Sequence, residues 1–542
     1  MLIISAEQFD FQAVWEVLEG VQESAYCLLT APPITNHHSP LTNHHSPLTP
    51  KMDPSYQLLA DKLHRQIEAR TYLPGDRLPS VRELAKDHGF SLETVLHAFR
   101  VLENKGVVEA RVRSGFYVRE PKLRFVAPPT KTQTIFRAKD VAVSLLRHQT
   151  VTFGTSKHVV PLGLSLLGSE VLPARKLAQT AASAARRYPA ETCSQGPPEG
   201  IEPLRQQLAQ RANGWGCFLS PDDFVITCGA SEALHLALRA VSQPGDIILV
   251  ESPTYFGELE IIQSLGLRVV ELATDPVHGV DLGDLENALQ RFTRVAACLL
   301  VTNYSNPLGY SLSTETKRDL VRLLARFGVP LIEDDIFGDL HRPETERPKV
   351  AKSFDQDGSV ILIGSFSKIL APGLRVGWIV PGKFHDRVLQ LKSATSLATP
   401  SLPQLAVAEF LKFGSFDAHL RRLRKFLADQ VYRFSSAIAE TFPESTRISR
   451  PSGGFVLWIE LEEDFDALEM AVEALNRFRI AVAPGNIFSA TGERYRNCFR
   501  VSCGHGFSPK FAEAIQTLGR LASARSSAPR RTVERASLAR PW

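Results

Sequence analysis

The chain has little of several features that would narrow its class. Its seven cysteines, an odd number among 542 residues, have no regular spacing. This argues against a disulfide framework or a zinc site, and we predict no metal site. No apolar run is long enough to cross a bilayer. The first residues, MLIISAEQFDF, carry acids where a secretory signal has a basic region. We therefore expect a cytoplasmic protein with no membrane partner.

Charge of one sign is also scarce. The 62 Lys and Arg residues nearly balance the 58 Asp and Glu residues, which leaves a net charge of +4. Spread over this length, that surplus neither indicates nor excludes a nucleic-acid partner. The composition, 44% hydrophobic and 22% charged, is typical of a globular protein. Since 542 residues exceed one ordinary core, we expect two or more domains.

The two ends of the chain differ in composition from the rest. The segment TNHHSPL occurs twice in tandem, at 35–41 and 42–48. A His-rich repeat could bind metal, but a Pro-bearing repeat is more typical of a disordered tail. We predict a disordered leader over 1–52, with Met52 as a hypothetical natural start. The Arg/Ser-rich segment 522–542 is predicted to be a disordered tail.

Residues 53–119 have the pattern of a small helical domain. Apolar residues recur at helical spacing before residue 68. Two further helices follow, the first opened by a Ser80/Glu83 capping box and the second capped by Ser91. The run VVEARVRSGFYV then indicates two short strands around a Ser-Gly turn. Three helices and a hairpin predict a winged helix-turn-helix whose helix over 91–104 reads the major groove.

Several side chains of this segment are candidates for contact with double-stranded DNA. Hydroxyl and basic groups at the helix starts and on the hairpin suit phosphates, although arginines there are equally well explained as a solvated surface. Leu92 offers apolar contact with a thymine methyl group, and Glu93 could accept from cytosine N4. The candidate DNA-binding residues are Ser80, Arg82, Ser91, Leu92, Thr94, Arg111, Arg113 and Gly115.

The remaining chain predicts a linker over 120–158 and a large domain over 159–521. Within the large domain, continuous apolar strands such as DIILVE and SVILIGSFS are separated by helical stretches. Strands that are apolar throughout are buried on both faces. The predicted fold class is therefore α/β, with a mostly parallel sheet covered by helices on both sides.

One lysine in this domain has a suggestive setting. Lys368 lies in GSFSKILAPGLRVGW, among small hydroxyl residues and ahead of an arginine. A lysine amine can form a Schiff base with a carbonyl, and pyridoxal phosphate is the common partner. A single lysine is more often a charged surface residue than a catalytic one. The interpretation therefore depends on whether phosphate donors, a carboxylate, a phenolate donor and a stacking face are present as well.

Residues of each kind follow in chain order. The turn at 229–231 opens a helix, where a phosphate is stabilised. Tyr255 suits stacking on a ring or packing in its loop, and Asn306 suits the phenolate or a plain Asn-Pro turn. Arg500 in an apolar strand needs a partner, either a substrate carboxylate or an internal acid. The predicted cofactor-binding set is Gly229, Ala230, Ser231, Tyr255, Asn306, Asp334, Ser365, Lys368 and Arg375, with Arg500 for the substrate.

Over 159–521 the motifs SFSKILAPGLRVGW, TNYSNPLGY, EDDIFGDL and PSGGFVLWIEL resemble the fold-type I pyridoxal-phosphate aminotransferases. The segment PGDRLPSVRELAKDHGFS resembles the GntR DNA-binding pattern, and the combination resembles the MocR group of GntR-type transcription regulators. The resemblance implies that Lys368 forms the internal aldimine and Asp334 faces the pyridine nitrogen. It also implies a head-to-tail homodimer.

One departure from the resemblance concerns catalysis. Aminotransferases of this type place a tyrosine three residues after the pyridine-nitrogen aspartate, and here Phe337 occupies that position. The missing hydroxyl favours sensing over turnover. We therefore expect a pyridoxal-phosphate-dependent regulator that senses a small amine or amino acid through an aldimine. The alternatives are an active aminotransferase with an accessory DNA-binding domain, and a cofactor-free dimerisation scaffold.

Overall fold

The computed structural model describes residues 55–68, 71–72, 76–111, 114–119, 126–142, 156, 158–413 and 415–526. The predicted leader and Arg113 lie outside these ranges. So do about half of the predicted linker and the predicted tail after residue 526. The chain divides into two compact units between residues 121 and 122. We call them the small unit and the large unit, and each has its own apolar core.

The small unit is a winged helix-turn-helix. Its Ser80/Glu83 capping box is confirmed, because the Ser80 hydroxyl accepts from the Glu83 N–H and the Glu83 carboxylate accepts from the Ser80 N–H. Gly89, at φ +67°, ends that helix, and Ser91 caps the next. The elements are α1 (Ser55–Glu68), α2 (Val81–His88), α3 (Leu92–Asn104), β1 (Val108–Arg111) and β2 (Gly115–Val118), the two strands being antiparallel.

The first half of the large unit alternates helices with strands. Its central strands are buried on both faces and therefore consist of apolar residues almost throughout. The elements are β3 (Lys139–Asp140), β4 (Val160–Pro161), α4 (Ala174–Arg187), α5 (Pro189–Cys193), α6 (Glu202–Ala212), β5 (Val225–Thr227), α7 (Ala230–Val241), β6 (Ile247–Glu251), α8 (Phe256–Ser264), β7 (Arg268–Leu272), β8 (Thr274–Asp275), β9 (Gly279–Val280), α9 (Leu282–Arg291) and β10 (Val295–Leu300).

The second half completes this sheet and adds a smaller one. Its elements are α10 (Thr314–Phe327), β11 (Leu331–Asp334), β12 (Val360–Ser365), β13 (Gly377–Val380), α11 (His385–Ser393), α12 (Ser401–Lys412), α13 (Ser415–Thr441), β14 (Arg447–Ile448), β15 (Val456–Glu460), α14 (Ala467–Phe478), β16 (Ile480–Ala481), β17 (Ala483–Pro484), β18 (Cys498–Ser502) and α15 (Pro509–Ser526).

The main sheet has the strand order β3-β7-β6-β10-β11-β12-β13-β5. The five strands from β7 to β12 are parallel, while β3, β13 and β5 pair antiparallel. The prediction of an α/β fold with a mostly parallel sheet is confirmed. A second, antiparallel sheet has the order β14-β15-β18-β17. In parallel strands the carboxyl ends meet at one edge, and that edge carries the functional side chains described below.

The predicted linker differs from the structure over 126–142. This stretch packs on the large unit, because β3 pairs with the edge strand β7. Two threonine hydroxyls attach the part of this stretch before β3 to the large unit: Thr130 donates to Glu460, and Thr134 donates to Asp284. These bonds join residues 150 to 330 positions apart, so local sequence could not reveal them.

The predicted tail also begins later than expected. Helix α15 continues past residue 521 to Ser526, because Leu518 and Ala522 are buried and carry its apolar face onto the domain. Residues 527–542 lie outside the described part of the chain. Among the described residues, no helix combines the length and apolar character that crossing a membrane requires.

Candidate functional site

A cavity of about 380 Å³ opens at the carboxyl edge of the main sheet. Its size falls in the range of small-ligand sites. Strands β11 and β12 end at this cavity, and the loop after β12 and the starts of α7 and α8 close it. The lining residues are Ala230, Ser231, Leu234, Tyr255, Phe256, Gly257, Glu258, Glu260, Ile261, Asp334, Ile336, Ser365, Ser367, Lys368 and Arg375.

Lys368 lies three residues beyond the end of β12. Its Nζ donates to the Ser165 carbonyl oxygen at 2.7 Å. Burial, together with the charges of Arg500 and Arg375, lowers the pKa of this amine to about 8, and Asp334 opposes that shift. A larger fraction of the amine is therefore neutral near neutral pH than for an exposed lysine. Neutral amine is the nucleophilic form that Schiff-base chemistry needs.

Asp334 is the last residue of β11 and is only 5% exposed. Its Oδ1 accepts from the Ile336 N–H at 2.9 Å, which fixes the carboxyl group at the cavity wall. Burial raises its pKa to about 7, and Lys368 is among the charges that oppose this. A buried carboxyl group gains most from a cationic partner. A protonated ring nitrogen in the cavity would supply one.

The phosphate end of the predicted site lies at the N-terminus of α7. Gly229, at φ +77°, precedes the helix, and a Cβ on it would lie 2.3 Å from Nη2 of Arg375. The arginine side chain thus fills the space that any other residue would need. Arg375 Nη2 donates to the Cys228 carbonyl oxygen at 3.2 Å. The turn at 229–231 and Arg375 form a cradle of N–H donors that suits a phosphate.

The two serines before Lys368 have different roles. The hydroxyl of Ser365 is buried, accepts from the Ser367 N–H at 3.0 Å and lies 3.2 Å from the Val376 carbonyl oxygen. Its hydrogen-bonding capacity is therefore used largely within its own loop. The Ser367 hydroxyl lies 3.4 Å from Nη1 of Arg375. Sequence reasoning singled out Ser365 and missed Ser367, although both belong to the motif GSFSKILAPGLRVGW.

Tyr255 is among the residues that line the cavity, whereas Asn306 and Arg500 are not. Tyr255 lines the cavity, and the close approach of its ring to Gly257 leaves 2.6 Å to an added Cβ there. Its ring lies 4.7 Å from that of Phe256. Asn306 Oδ1 accepts from Arg500 Nη1 at 2.8 Å. The structure thus brings Asn306 and Arg500 into direct contact, which their separation of 194 positions does not suggest.

Arg500 is completely buried in β18. Its guanidinium donates to two neutral oxygens, Asn306 Oδ1 and the Gly163 carbonyl oxygen at 2.5 Å. Nε has no hydrogen-bond partner among the described residues. Burial lowers the pKa of Arg500 to about 10. The internal acid that sequence analysis left open is not among its hydrogen-bond partners in the described chain, so its charge remains available for a ligand carboxylate.

Glu258 is a cavity residue that sequence reasoning missed. Its Oε2 accepts from the Thr254 hydroxyl at 2.9 Å, while Oε1 is buried without a partner among the described residues. Burial raises its pKa well above the usual value, and the charges of Asp334 and Glu251 add to this. A glutamate inside a short, mostly apolar helix gave no signal that distinguished it from a surface residue.

Most of the predicted DNA-binding residues lie at exposed positions on the small unit. Arg82 is exposed on α2, and the hydroxyls of Ser91 and Thr94 lie 2.8 Å apart at the start of α3. Arg111 bonds to Glu109 at 2.8 Å and lies 4.3 Å over the Tyr117 ring, so it is held on the hairpin. Arg113 lies outside the described residues.

Arg77 is a further basic residue here that sequence reasoning missed. Its backbone bridges to Tyr117 of β2, and its Nε would lie 3.5 Å from a Cβ on Gly115. Gly115 has φ +105°, which favours glycine. The side chain of Arg77 therefore lies along the start of β2, beside the hairpin turn, where it adds positive charge to the wing.

The described residues fit pyridoxal phosphate. The glycine-lined cradle beside Arg375 suits its phosphate, the buried Asp334 suits its ring nitrogen, and the Lys368 amine faces the same cavity. Tyr255 supplies an aromatic face. The donor set therefore matches this cofactor at its phosphate, its ring nitrogen and its aldehyde, while Phe337 offers no hydroxyl to its phenolate oxygen.

Comparison with known proteins matches each unit to a protein family. Residues 168–518 match the family described as aminotransferase class I and II, and residues 55–118 match the gntR family of bacterial regulatory proteins. The uncharacterized HTH-type transcriptional regulator YdcR of Escherichia coli is 37% identical over 86% of this chain and 98% of its own length. YjiR of the same organism, also described as an uncharacterized HTH-type transcriptional regulator, is 36% identical over 86% and 98%.

Solved structures resemble the large unit. The kynurenine aminotransferase of Pyrococcus horikoshii, solved with PMP, is 27% identical with a TM-score of 0.66, over 71% of this chain and 96% of that one. The α-aminoadipate aminotransferase of Thermus thermophilus is 26% identical with a TM-score of 0.64, over 70% and 99%. The large unit therefore has the aminotransferase fold.

Proposed function

This chain belongs to the MocR group of GntR-type transcription regulators, with a pyridoxal-phosphate aminotransferase domain, and we propose that it senses a small amino acid or amine and adjusts DNA binding accordingly. DNA binding belongs to the GntR segment, and the cofactor belongs to the aminotransferase domain. We propose that a ligand entering the cavity of the large unit links the state of the cofactor to the affinity for DNA.

The observation that carries the proposal is the state of Arg500. No carboxylate among the described residues forms an ion pair with this completely buried guanidinium, which hydrogen-bonds only to neutral oxygens, leaves Nε unpartnered, and lies 5.0 Å from the Phe488 ring and 5.8 Å from the Phe256 ring. Leaving such a charge buried is costly unless an anion joins it. A ligand carboxylate would do so with charge-assisted bonds. Because the charge of Arg500 also acts on the Lys368 amine, the two groups suit a ligand with both a carboxylate and an amine.

Pyridoxal phosphate, when bound, supplies an aldehyde that reacts reversibly with amines and a ring that withdraws electrons. The chain's own residues would hold and orient it. The turn at 229–231 and Arg375 suit the phosphate, and Asp334 suits the ring nitrogen. The Ser165 carbonyl oxygen accepts a hydrogen bond from the Lys368 Nζ and would hold that amine whenever it is not bound to the cofactor.

Phe337 supports sensing rather than turnover. Its side chain is buried in the apolar core, with its ring 5.6 Å from that of Phe455 in an edge-to-face arrangement. No hydroxyl is present at this position to bond the cofactor phenolate and tune its proton affinity. A ligand that binds and stays, rather than one that is converted and released, is what a sensor needs.

We further propose a homodimer that presents two winged helices head to tail. Two-fold symmetry in the protein would be matched by symmetric half-sites in the operator. The sedimentation coefficient of the holo-protein tests the dimer directly. A monomer at micromolar concentration would contradict it.

The function is tested by titrating the holo-protein with amino acids and amines while following the visible absorption of the cofactor and the affinity for DNA. We expect one ligand to shift the band stably, with no oxo acid released, and to change DNA affinity at the same concentration. Oxo acid formation would make the enzyme alternative primary. A band that no ligand shifts would contradict sensing.

Two variants sharpen this test. Lys368→Ala should abolish covalent retention of the cofactor after borohydride reduction, whereas Lys383→Ala, at an exposed lysine of the same unit, should not. Arg500→Lys should weaken binding of the amino-acid ligand about 100-fold, the scale of losing a buried charge-assisted contact. Binding of the corresponding amine without a carboxylate should change little. Equal losses for both ligands would contradict the carboxylate contact.

A further inference from the structure

Two leucines are exposed on α3, the helix that was predicted to read the major groove. Leu92 is 51% exposed and Leu96 is 38% exposed, both on α3. The adjoining face of α3 is buried in the core of the small unit through Val95, Ala98, Phe99 and Leu102. Residues four apart lie on one face of a helix, so the two leucines form a continuous apolar strip. We call Leu92 and Leu96 the leucine pair.

The surroundings of the leucine pair are polar and mostly basic. His97 is stacked on Tyr56 of α1, with ring centroids 3.9 Å apart, so its ring is held against that helix. Arg100, one turn beyond Leu96, is exposed, as is Arg82 on α2. Glu93 is the exposed acid in the first turn of α3. An exposed apolar strip on a unit that also exposes Arg82 and Arg100 suits a nucleic-acid groove, whose phosphates flank the base edges.

The chemistry of the leucine pair restricts which base edges it can contact. Leucine offers no hydrogen bond, so covering a polar base edge with it would leave donors or acceptors unpaired, at a cost. The thymine C5-methyl group is the apolar element of the major groove. Four residues of helix span about 6 Å, close to two base-pair steps of about 3.4 Å each. Two methyl groups within three consecutive base pairs are therefore within reach of a helix lying along the groove.

We propose that Leu92 and Leu96 read thymine methyl groups, so that each operator half-site carries two thymines within three consecutive base pairs under α3. This inference rests on the proposed DNA-binding function and deepens it, because it assigns part of the sequence specificity to apolar contact. The other basic groups of the unit then position the helix on the phosphates without specifying sequence.

The test begins with selection of binding sequences from a random duplex pool by the full-length holo-protein. We expect a consensus with two closely spaced thymines per half-site. The selected duplex is then remade with deoxyuridine in place of each thymine in turn, which removes only the methyl group. At the two positions, each substitution should weaken wild-type binding about fourfold, the factor that corresponds to burial of one methyl group.

Variants assign the two methyl groups. Leu92→Ala should lose sensitivity to deoxyuridine at one position, and Leu96→Ala at the other. Leu58→Ala is the matched control, because Leu58 is 52% exposed on α1 of the same unit, and it should keep the wild-type response. Melting of each variant checks that the small unit is folded.

Three results would overturn the proposal. One is an unchanged affinity for deoxyuridine duplexes, and another is a sensitivity to deoxyuridine that persists in both leucine variants. A third is a change in the oligomeric state of the free protein on replacing either leucine, which would assign the pair to contact between copies. If the wild type binds no duplex even at low salt, the DNA-binding premise itself fails, and that result is distinguishable from the other three.

Discussion

Four ionisable side chains in and around the cavity are buried, namely Glu251, Glu258, Asp334 and Arg500, and a fifth, Lys368, is half-buried. Burial raises the pKa of each acid and lowers the pKa of each base. Because charged forms are costly away from water, each group is moved toward neutrality near physiological pH. The site therefore responds to any ligand that brings a complementary charge, and this is the property that a sensor of zwitterions needs.

Glu251 is a buried carboxyl group that does not line the cavity, and its raised pKa leads to a quantitative prediction. It ends β6, and its carboxyl group accepts from the Ser305 hydroxyl at 2.8 Å and from the Tyr310 hydroxyl, which hold the turn that carries Asn306. Burial raises its pKa to about 7, although these hydrogen bonds oppose the shift. The folded pKa exceeds the unfolded value near 4.5. Its stabilising contribution is therefore complete below about pH 4.5 and is lost as pH rises through about 7.

We therefore expect Glu251→Gln to flatten the pH dependence of unfolding. Between pH 5 and pH 8 the wild-type free energy of unfolding should fall by up to about 3 kcal/mol relative to the variant, since one pKa unit corresponds to about 1.4 kcal/mol. Urea unfolding of the large unit at several pH values measures this. Glu344→Gln, at an exposed acid, is the control and should leave the curve unchanged. Parallel curves for wild type and Glu251→Gln would contradict the expectation.

The sequence predicts those residues of the site that belong to local patterns. Lys368, Asp334 and Arg375 stand in motifs at strand ends, and the structure brings all three to one cavity. Glu258 and Arg77 were missed, because their importance comes from burial and from contacts across the fold. The local sequence does not indicate which side of a helix will face a cavity.

At the scale of elements, helix starts serve two purposes in the small unit. The Ser91 hydroxyl accepts from the Thr94 N–H at 3.1 Å, so it satisfies one of the free donors at the start of α3. It was also predicted to contact phosphate. Both roles are compatible, because a hydroxyl that accepts one bond can still donate another. Capping patterns are short and local, so these helix starts were predicted correctly, whereas the packing of 126–142 on the large unit was not.

Two substitutions at Ser91 separate capping from DNA contact. Ser91→Ala should lower the stability of the small unit by about 1 kcal/mol, the usual loss of a helix cap. Ser91→Asp keeps a good capping group and adds a negative charge where a phosphate is expected. It should preserve stability yet weaken DNA binding at least tenfold, since like charges repel across an interface. Thermal melting and DNA titration at fixed salt measure the two effects. Unchanged DNA affinity for Ser91→Asp would contradict the phosphate contact.

At the scale of the whole molecule, the chain consists of two units with separate cores. The core of the small unit gathers residues of α1, α2, α3 and the hairpin, whereas three larger clusters surround the sheets of the large unit. The cavity and the residues that suit the cofactor all belong to the large unit. A ligand that binds only one folded unit stabilises that unit by mass action and leaves an independent neighbour unchanged.

Removing the cofactor should therefore affect the two units unequally. We expect calorimetry of the full chain to show two transitions, of which only the large-unit transition moves down in temperature after the cofactor is stripped and moves back on its return. A cofactor present at about 100 times its dissociation constant contributes about 2.7 kcal/mol, which corresponds to a shift of a few degrees for a domain of this size. Ser91→Ala should move only the other transition, which identifies it. A single transition that responds to both changes would show instead that the units unfold as one, and binding in the cavity would then be coupled to the stability of the DNA-binding unit.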